Sequence, residues 1–291
     1  MLCKMNYTQE ELFLLHNELY DILGEIIRIC RKYDINYFII GGTAIGAYYD
    51  KGILPWDDDL DIGMTRENYN RFLKLAVKEL SKDYFLSWYE TDIHTPFYYA
   101  KLKKNNTLFV EEKYKNIKMH HGIFVDIFPF DRIPNNRIIR NIHYKFANFL
   151  KCCFMGKEIW MWKYFGKCQI LVPLERSVFS CFLNRMINVF FSKRDILKLN
   201  TCVQSMFNNC KTKYYNNVIT KTDHISEYEL ENLVLVKFGP HEVWAPCDLL
   251  AFLKYNFPNL HRYTEEEVET LQCNHVPYIL SFKIEADSLK K

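Results

Sequence analysis

One stretch limits the possible folds more than any other. Residues 41–64 read GGTAIGAYYDKGILPWDDDLDIGM and hold five of the 10 glycines in the chain: Gly41, Gly42, Gly46, Gly52 and Gly63. They also hold Asp57, Asp58, Asp59 and Asp61. Glycine concentrated in one place marks backbone that turns tightly or approaches another group closely. Clustered carboxylates mark a cation. Together they read as a site for a phosphate compound and a divalent metal.

Residues 37–40 are apolar and rich in strand formers, and they run directly into Gly41-Gly42-Thr43. The pattern predicts a strand, a tight turn, then a short helix carrying Ala44, Ile45 and Ala47. A glycine turn at a helix N-terminus offers free N–H groups and a favourable dipole to an anion, and Thr43 adds a hydroxyl. With residues 60–64 as the next strand, Asp59 and Asp61 are two residues apart and point the same way. Two parallel carboxylates suit a hard cation, magnesium or manganese, that takes substrate phosphates as further ligands. The plainer alternative is an acidic loop capping a strand, with glycines serving only the turn. A strand, Gly-Gly, helix and then Asp-x-Asp on the next strand is the more specific pattern.

The rest of the chain supplies a scaffold. At 291 residues, 49% hydrophobic and 25% charged, it buries a core. The formal charge of +3 is too small to argue for nucleic acid. The ten cysteines form no CxxC spacing, which predicts reduced thiols and a cytosolic setting. The first residues lack the apolar core of a secretory leader. No uncharged apolar run reaches the roughly 18–20 residues of a membrane span. The expected location is cytoplasmic, with peripheral contact at the inner face of the cell membrane left open.

Thr8 and Glu11 form a capping box, and Leu12, Leu15, Leu19, Ile22, Ile26 and Ile29 mark one face of a helix to about residue 31, closed by Cys30 and Asp34. Thr65 caps a second helix, with Tyr69, Phe72, Leu73, Ala76 and Leu80 inward. Strands are expected at 85–89 and 97–102. Lys101, followed by Lys103 and Lys104, is the candidate to face phosphates; the alternative is a solvated basic edge. Residues 121–131, HGIFVDIFPFD, predict a central strand apolar on both faces. A lone Asp126 there is costly unless it binds something. Asp131, past Pro129, reads as a loop or turn aspartate.

Between 132 and 198, thirteen Lys and Arg face three acidic residues, interleaved with Tyr144, Phe146, Phe149, Phe154, Trp160, Trp162, Tyr164, Phe165, Phe179, Phe182, Phe190 and Phe191. This is either a helical subdomain with aromatic cores and basic solvent faces, or a surface for an anionic membrane or a lipid-linked acceptor. Turn signals at 208–209 and 216–217, a hairpin over 233–246 and a helix at 248–255 follow.

Residues 41–64 resemble the LicD family of phosphotransferases, whose pattern is close to GGT-x-x-GA-x-R-x-x-G-x-IPWDDD-x-DI-x-M. Residues 122–131 resemble that family's GIFVDIFP-x-D. The resemblance implies an α+β fold: a nucleotidyltransferase-like mixed sheet flanked by helices, here with a largely helical basic and aromatic insertion. It divides the chain into a catalytic core (1–131), the insertion (132–222) and a C-terminal hairpin and helix (223–291). It implies a third carboxylate on a neighbouring strand, which is Asp126 here with Asp131 as the fallback, acting as metal ligand, general base toward an acceptor hydroxyl, or both. Asp59, Asp61 and Asp126 are then the catalytic and metal-binding set. Gly41, Gly42, Thr43, Lys51, Trp56 and Lys101 are the substrate contacts.

The implied reaction is transfer of a phospho-alcohol, phosphocholine first, from CDP-choline or another CDP-alcohol to a glycan or lipid-linked glycan of a teichoic acid, capsule or lipopolysaccharide, with release of CMP and no nucleic-acid partner. A nucleotidyltransferase releasing pyrophosphate and a non-catalytic nucleotide-binding module are the competing readings. The family's usual arginine is Tyr49 here, which leaves the alcohol open. Tyr48, Tyr49, Trp56, Trp88 and Tyr89 offer material for an aromatic box around a quaternary ammonium. His275 stands near the place of a family histidine pair and is given no role.

Overall fold

In the computed structural model the N-terminal amphipathic segment is helix α1 (Gln9–Tyr33). Thr8 Oγ1 accepts from the Glu11 N–H at 3.1 Å, and the Glu11 carboxylate accepts from the Thr8 N–H at 2.8 Å, completing the expected capping box. Leu15, Leu19, Ile22, Ile26 and Ile29 are fully buried on the face the spacing predicts. The helix stops at Asp34, in the left-handed region at φ 50°, with its N–H on the Cys30 carbonyl. The structure describes residues 7–165, 178–218, 222–264, 267, 275 and 277–283. The side chains of residues 159–182, among them Trp160, Trp162, Tyr164, Phe165, Phe179 and Phe182, lie outside that description.

Next come β1 (Phe38–Ile39), α2 (Gly41–Tyr49), β2 (Asp61–Thr65), α3 (Arg66–Glu79), β3 (Tyr84–Ser87), β4 (Ala100–Lys104), β5 (Leu108–Glu111) and β6 (Phe124–Ile133). The main sheet runs β1-β2-β6-β4-β3. The β2–β6 pair is parallel and the others are antiparallel, so the sheet is mixed. β6 is central, as its two-sided apolar pattern predicts, and its far end carries β7 (Tyr214–Asn216) and then β8 (Ile225–Ser226). Helices α1 and α3 pack on this sheet and on each other.

Three boundaries differ from the sequence expectation. Strand β3 ends at Ser87, so Trp88 and Tyr89 fall in the bend and turn that follow. Strand β4 starts at Ala100, because Phe97 and Tyr99 pack edge-on and tilted against Tyr114 and Phe128 and so leave the ladder. Strand propensity favoured the aromatics, but the pairing with β6 takes up Lys101 and Lys103. Helix α2 begins at Gly41 itself, so the glycines form its first turn and do not precede it.

The insertion is helical, as expected: α4 (Arg137–Phe165), α5 (Val178–Phe190) and α6 (Lys193–Ser205). α4 packs on α6 around Cys153, Phe154 and Ile196 and around Ala147, Leu150 and Val203. The chain closes with α7 (Glu227–Glu231), the hairpin β9 (Val234–Phe238) and β10 (His241–Ala245), α8 (Leu249–Asn256), and β11 (Pro277–Ser281), which pairs with β5. The fold class is α+β with a helical insertion. Among the described residues, no helix is long and apolar enough to cross a membrane.

Candidate active site

The site is built from a register. Asp61 on β2 pairs with Asp126 on β6, and Asp126 pairs with Lys101 on β4. Register partners project to the same face of a sheet, so three neighbouring strands present carboxylate, carboxylate and ammonium in one row. Lys101 Nζ lies 2.6 Å from Asp126 Oδ1 and 2.9 Å from Oδ2, and the Tyr99 hydroxyl donates to Oδ2 at 3.1 Å. Lys101 is 2% exposed, with Nζ 3.4 Å from the Phe124 ring centre and 4.3 Å from that of Phe97. A buried ion pair needs such hydrogen bonds and cation–π contacts to offset its desolvation. Lys101 therefore belongs to the row and is no solvated edge. Lys103, two residues on, is also buried and donates instead to the His120 carbonyl.

The glycines make room for carboxylates. Gly41 has φ +56°, and a Cβ there would lie 3.4 Å from Asp61 Oδ2. A Cβ on Gly42 would lie 2.4 Å from Asp57 Oδ2, closer than atoms can approach. The N–H of Gly41 donates to Asp223 Oδ1 at 3.0 Å, so one of the free donors at the start of α2 already holds a carboxylate. Thr43 is buried, and its hydroxyl accepts from the Asp61 N–H at 2.8 Å, fixing the start of β2.

The acidic run before β2 divides its labour. Asp58 is buried and accepts from the Tyr7 hydroxyl at 2.8 Å and from the backbone N–H of His275 at 3.1 Å. The ring Nδ1 of His275 lies 3.3 Å from Asp58 Oδ1 and 3.6 Å from Asp59 Oδ2. One ligand atom from each of Asp58, Asp59 and His275 lies within 4.8 Å of the others. Burial pulls His275 down, but the Asp58 hydrogen bond and the charges of Asp59 and Asp58 outweigh it, and its pKa ends above the ordinary value.

Burial is the largest force on the carboxylates. It pushes Asp59 up to about 6; the charges of Asp58 and Asp126 add to it, and those of His275 and Lys101 oppose it. Burial lifts Asp61 well above the usual range, aided by Asp59, Asp126, Asp57 and Asp223. Asp57 is raised by burial and by Asp59 and Asp58. Carboxylates raised by burial and by one another's charge would be relieved by a bound cation. The carboxylate oxygens suit magnesium or manganese, and the one imidazole beside them suits manganese better.

Other candidates fall elsewhere. Lys51 is exposed just past the end of α2, in the left-handed region at φ 56°, with its ammonium 3.5 Å from the Tyr48 carbonyl. Trp56 packs edge-on against Tyr263 at 5.3 Å, beside the acidic run. Tyr48 and Tyr49 pack on each other, and Tyr89 packs on Phe154 of the insertion. Asp131 is no loop residue. It is fully buried within β6, bound by Arg66 at 3.1 and 2.5 Å and by Asn208 at 2.7 Å, which makes it a structural anchor. Asp223 and His275 join the site without having been assigned to it from sequence, and Asp57 and Asp58 were read there only as part of the acidic cluster, with no role of their own. Only the clustering of Asp57 and Asp58 and the position of His275 hinted at them.

Residues 34–158 match a family model described as LicD/FKTN/FKRP, nucleotidyltransferase domain. The lipopolysaccharide cholinephosphotransferase LicD of Haemophilus influenzae is 31% identical over 193 residues, 65% of this chain and 65% of that protein. Uncharacterized proteins of Rickettsia typhi and Rickettsia prowazekii are 29% and 26% identical over 130 and 131 residues, 45% of this chain and 40% and 47% of theirs. The matches thus span from 40% to 65% of these relatives' lengths. The glycines, Asp59, Asp61, Lys101 and Asp126 all fall inside residues 34–158, whereas Asp223 and His275 fall outside. Over residues 34–158, the chain is similar to the LicD family.

Proposed function

We propose that this protein is a metal-dependent phosphotransferase that moves a phospho-alcohol, phosphocholine first, from a CDP-activated donor to a hydroxyl of a cell-surface glycan precursor, releasing CMP. The observation that carries the reading is the row Asp61–Asp126–Lys101, with Asp59 held close enough that its charge acts on Asp61. The name of the Haemophilus influenzae relative supports phosphocholine as the group and lipopolysaccharide as the acceptor.

A magnesium or manganese ion held by Asp59, Asp61 and Asp126 would neutralise the donor's pyrophosphate oxygens. The remaining N–H groups in the first turn of α2 and the Lys101 ammonium would add fixed positive potential on the same side. Asp126 takes the proton from the acceptor hydroxyl, whose oxygen attacks the phosphorus that carries the alcohol. A phosphodiester forms, the bond from that phosphorus to the bridging oxygen breaks, and CMP leaves with that oxygen. Lys101 and Tyr99 orient Asp126 for this role. Positioning and charge stabilisation supply most of the rate in such transfers.

Product identity tests the reaction class. Incubation with CDP-choline, magnesium and a glycan acceptor is expected to yield CMP. Pyrophosphate from a nucleoside triphosphate, with no CMP from any CDP-alcohol, would instead establish a nucleotidyltransferase.

A further inference from the structure

The first three turns of α4 present an apolar stripe to solvent. Ile138, Ile139, Ile142 and Phe146 are 71%, 49%, 62% and 47% exposed. Their spacing places them within about 100° of arc on one side of the helix. They are turned away from Tyr144, Ala147 and Leu150, which pack inward with Val203 and Val218. Single exposed hydrophobic residues need no explanation, but a continuous set on one face does.

The charge around the stripe says what covers it. Arg137 and Lys145 are exposed, and the sequence from 132 to 157 contains no Asp or Glu. The first turn of α4 has no acidic residue and carries Arg137, although a cation at a helix N-terminus opposes the macrodipole. The helix start is already secured by Asn136, whose side-chain oxygen accepts from the N–H groups of Ile138 and Ile139 at 2.9 and 3.2 Å. The positive charge therefore does nothing for the helix itself. A second copy of the chain would bring the same cations to the interface, which disfavours self-association through this face.

We propose that this face of α4 docks on an anionic phospholipid surface. The four apolar side chains enter the headgroup boundary; Lys145 at the edge of the stripe, and Arg137 about 100° of arc from Ile138, supply the charge that attracts lipid phosphates. The inference is independent of the reaction catalysed. It is tested by co-sedimentation of the full chain with vesicles of phosphatidylcholine alone and of phosphatidylcholine mixed with phosphatidylglycerol. Binding is expected on the anionic vesicles and is expected to weaken with salt. Ile142→Glu should lower it at least tenfold, and Arg137→Ala and Lys145→Ala by about fivefold each. All three variants should keep the wild-type Tm and elution volume, because the residues are exposed. No binding to either vesicle, or binding that these variants leave unchanged, would overturn the proposal. A wild-type dimer that Ile142→Glu converts to monomer, without vesicle binding, would assign the face to self-association and overturn it equally.

Discussion

Asp61 and Asp126 stand directly opposite each other on the parallel strands β2 and β6, and Lys101 faces Asp126 from β4 on the other side. One lysine thus offsets a group of carboxylates, and its removal exposes their repulsion. Lys101→Met is expected to destabilise the metal-free protein by about 3–5 kcal/mol, the usual cost of breaking a buried pair. The double variant Lys101→Met/Asp126→Asn should recover most of that loss. Urea unfolding of the four proteins gives the coupling; additive effects would contradict the pairing.

The glycines are expected to be intolerant for a steric reason. Gly42→Ala puts a methyl 2.4 Å from Asp57 Oδ2, and should cost about 1–3 kcal/mol, the range for overpacking. Gly41→Ala at φ +56° adds left-handed strain of about 1–2 kcal/mol. Gly156→Ala, within α4, meets only the amide ends of Asn188 and Asn184 and should be neutral, or stabilising by up to about 1 kcal/mol. Thermal unfolding of the three variants decides whether the close approach or glycine content as such matters.

The acidic cluster sets a pH dependence. Asp59 is pushed up to about 6 and Asp61 well above its ordinary value. Folded-state values above unfolded ones mean that the native protein binds more protons than the unfolded chain. Stability from these groups is therefore greatest in acid and is lost as pH rises from about 4, the unfolded value, through the folded values. In chelator, Asp61→Asn should have a higher Tm than wild type at pH 8, and the gap should close below about pH 4. Magnesium should reverse the order at pH 8 by stabilising wild type alone. A variant less stable than wild type in chelator at pH 8 would contradict the electrostatic account.

His275 sits at the edge of the acidic run with its ring on Asp58 and Asp59. Imidazole is a better ligand for manganese than for magnesium. His275→Ala is therefore expected to reduce the Tm rise produced by manganese more than that produced by magnesium. Tyr7→Phe, which removes another donor to Asp58, should leave the preference between the ions unchanged. Equal losses with both ions would restrict His275 to holding Asp58.

Much of this was legible because the signals are local. The capping box and apolar spacing of α1, the Gly-Gly to Asp-x-Asp stretch and the two-sided apolar run of β6 each lie within a few turns or one strand. Long-range partners were not legible. Asp223 reaches Gly41 across 182 positions, and His275 reaches Asp58 across 217, so no spacing rule connects them. Asp131 was misread because Pro129 suggested the end of a strand. β6 continues through it: Pro129 pairs with Met64, and the buried partners Arg66 and Asn208 hold Asp131 beyond. Thr43 also has a partner that spacing did not show: its hydroxyl accepts from the backbone N–H of Asp61 and keeps its own O–H to donate, a contact that only the tertiary fold creates.

The most direct test is CMP release from CDP-choline, CDP-ribitol, CDP-glycerol and CDP-ethanolamine, with and without magnesium, by wild type and Asp59→Asn side by side. The account predicts CMP from one donor, with CDP-choline first, dependent on the metal and reduced at least 100-fold in Asp59→Asn, on the order of a lost charge-stabilising group. Metal-independent release, or release that Asp59→Asn leaves intact, would contradict it.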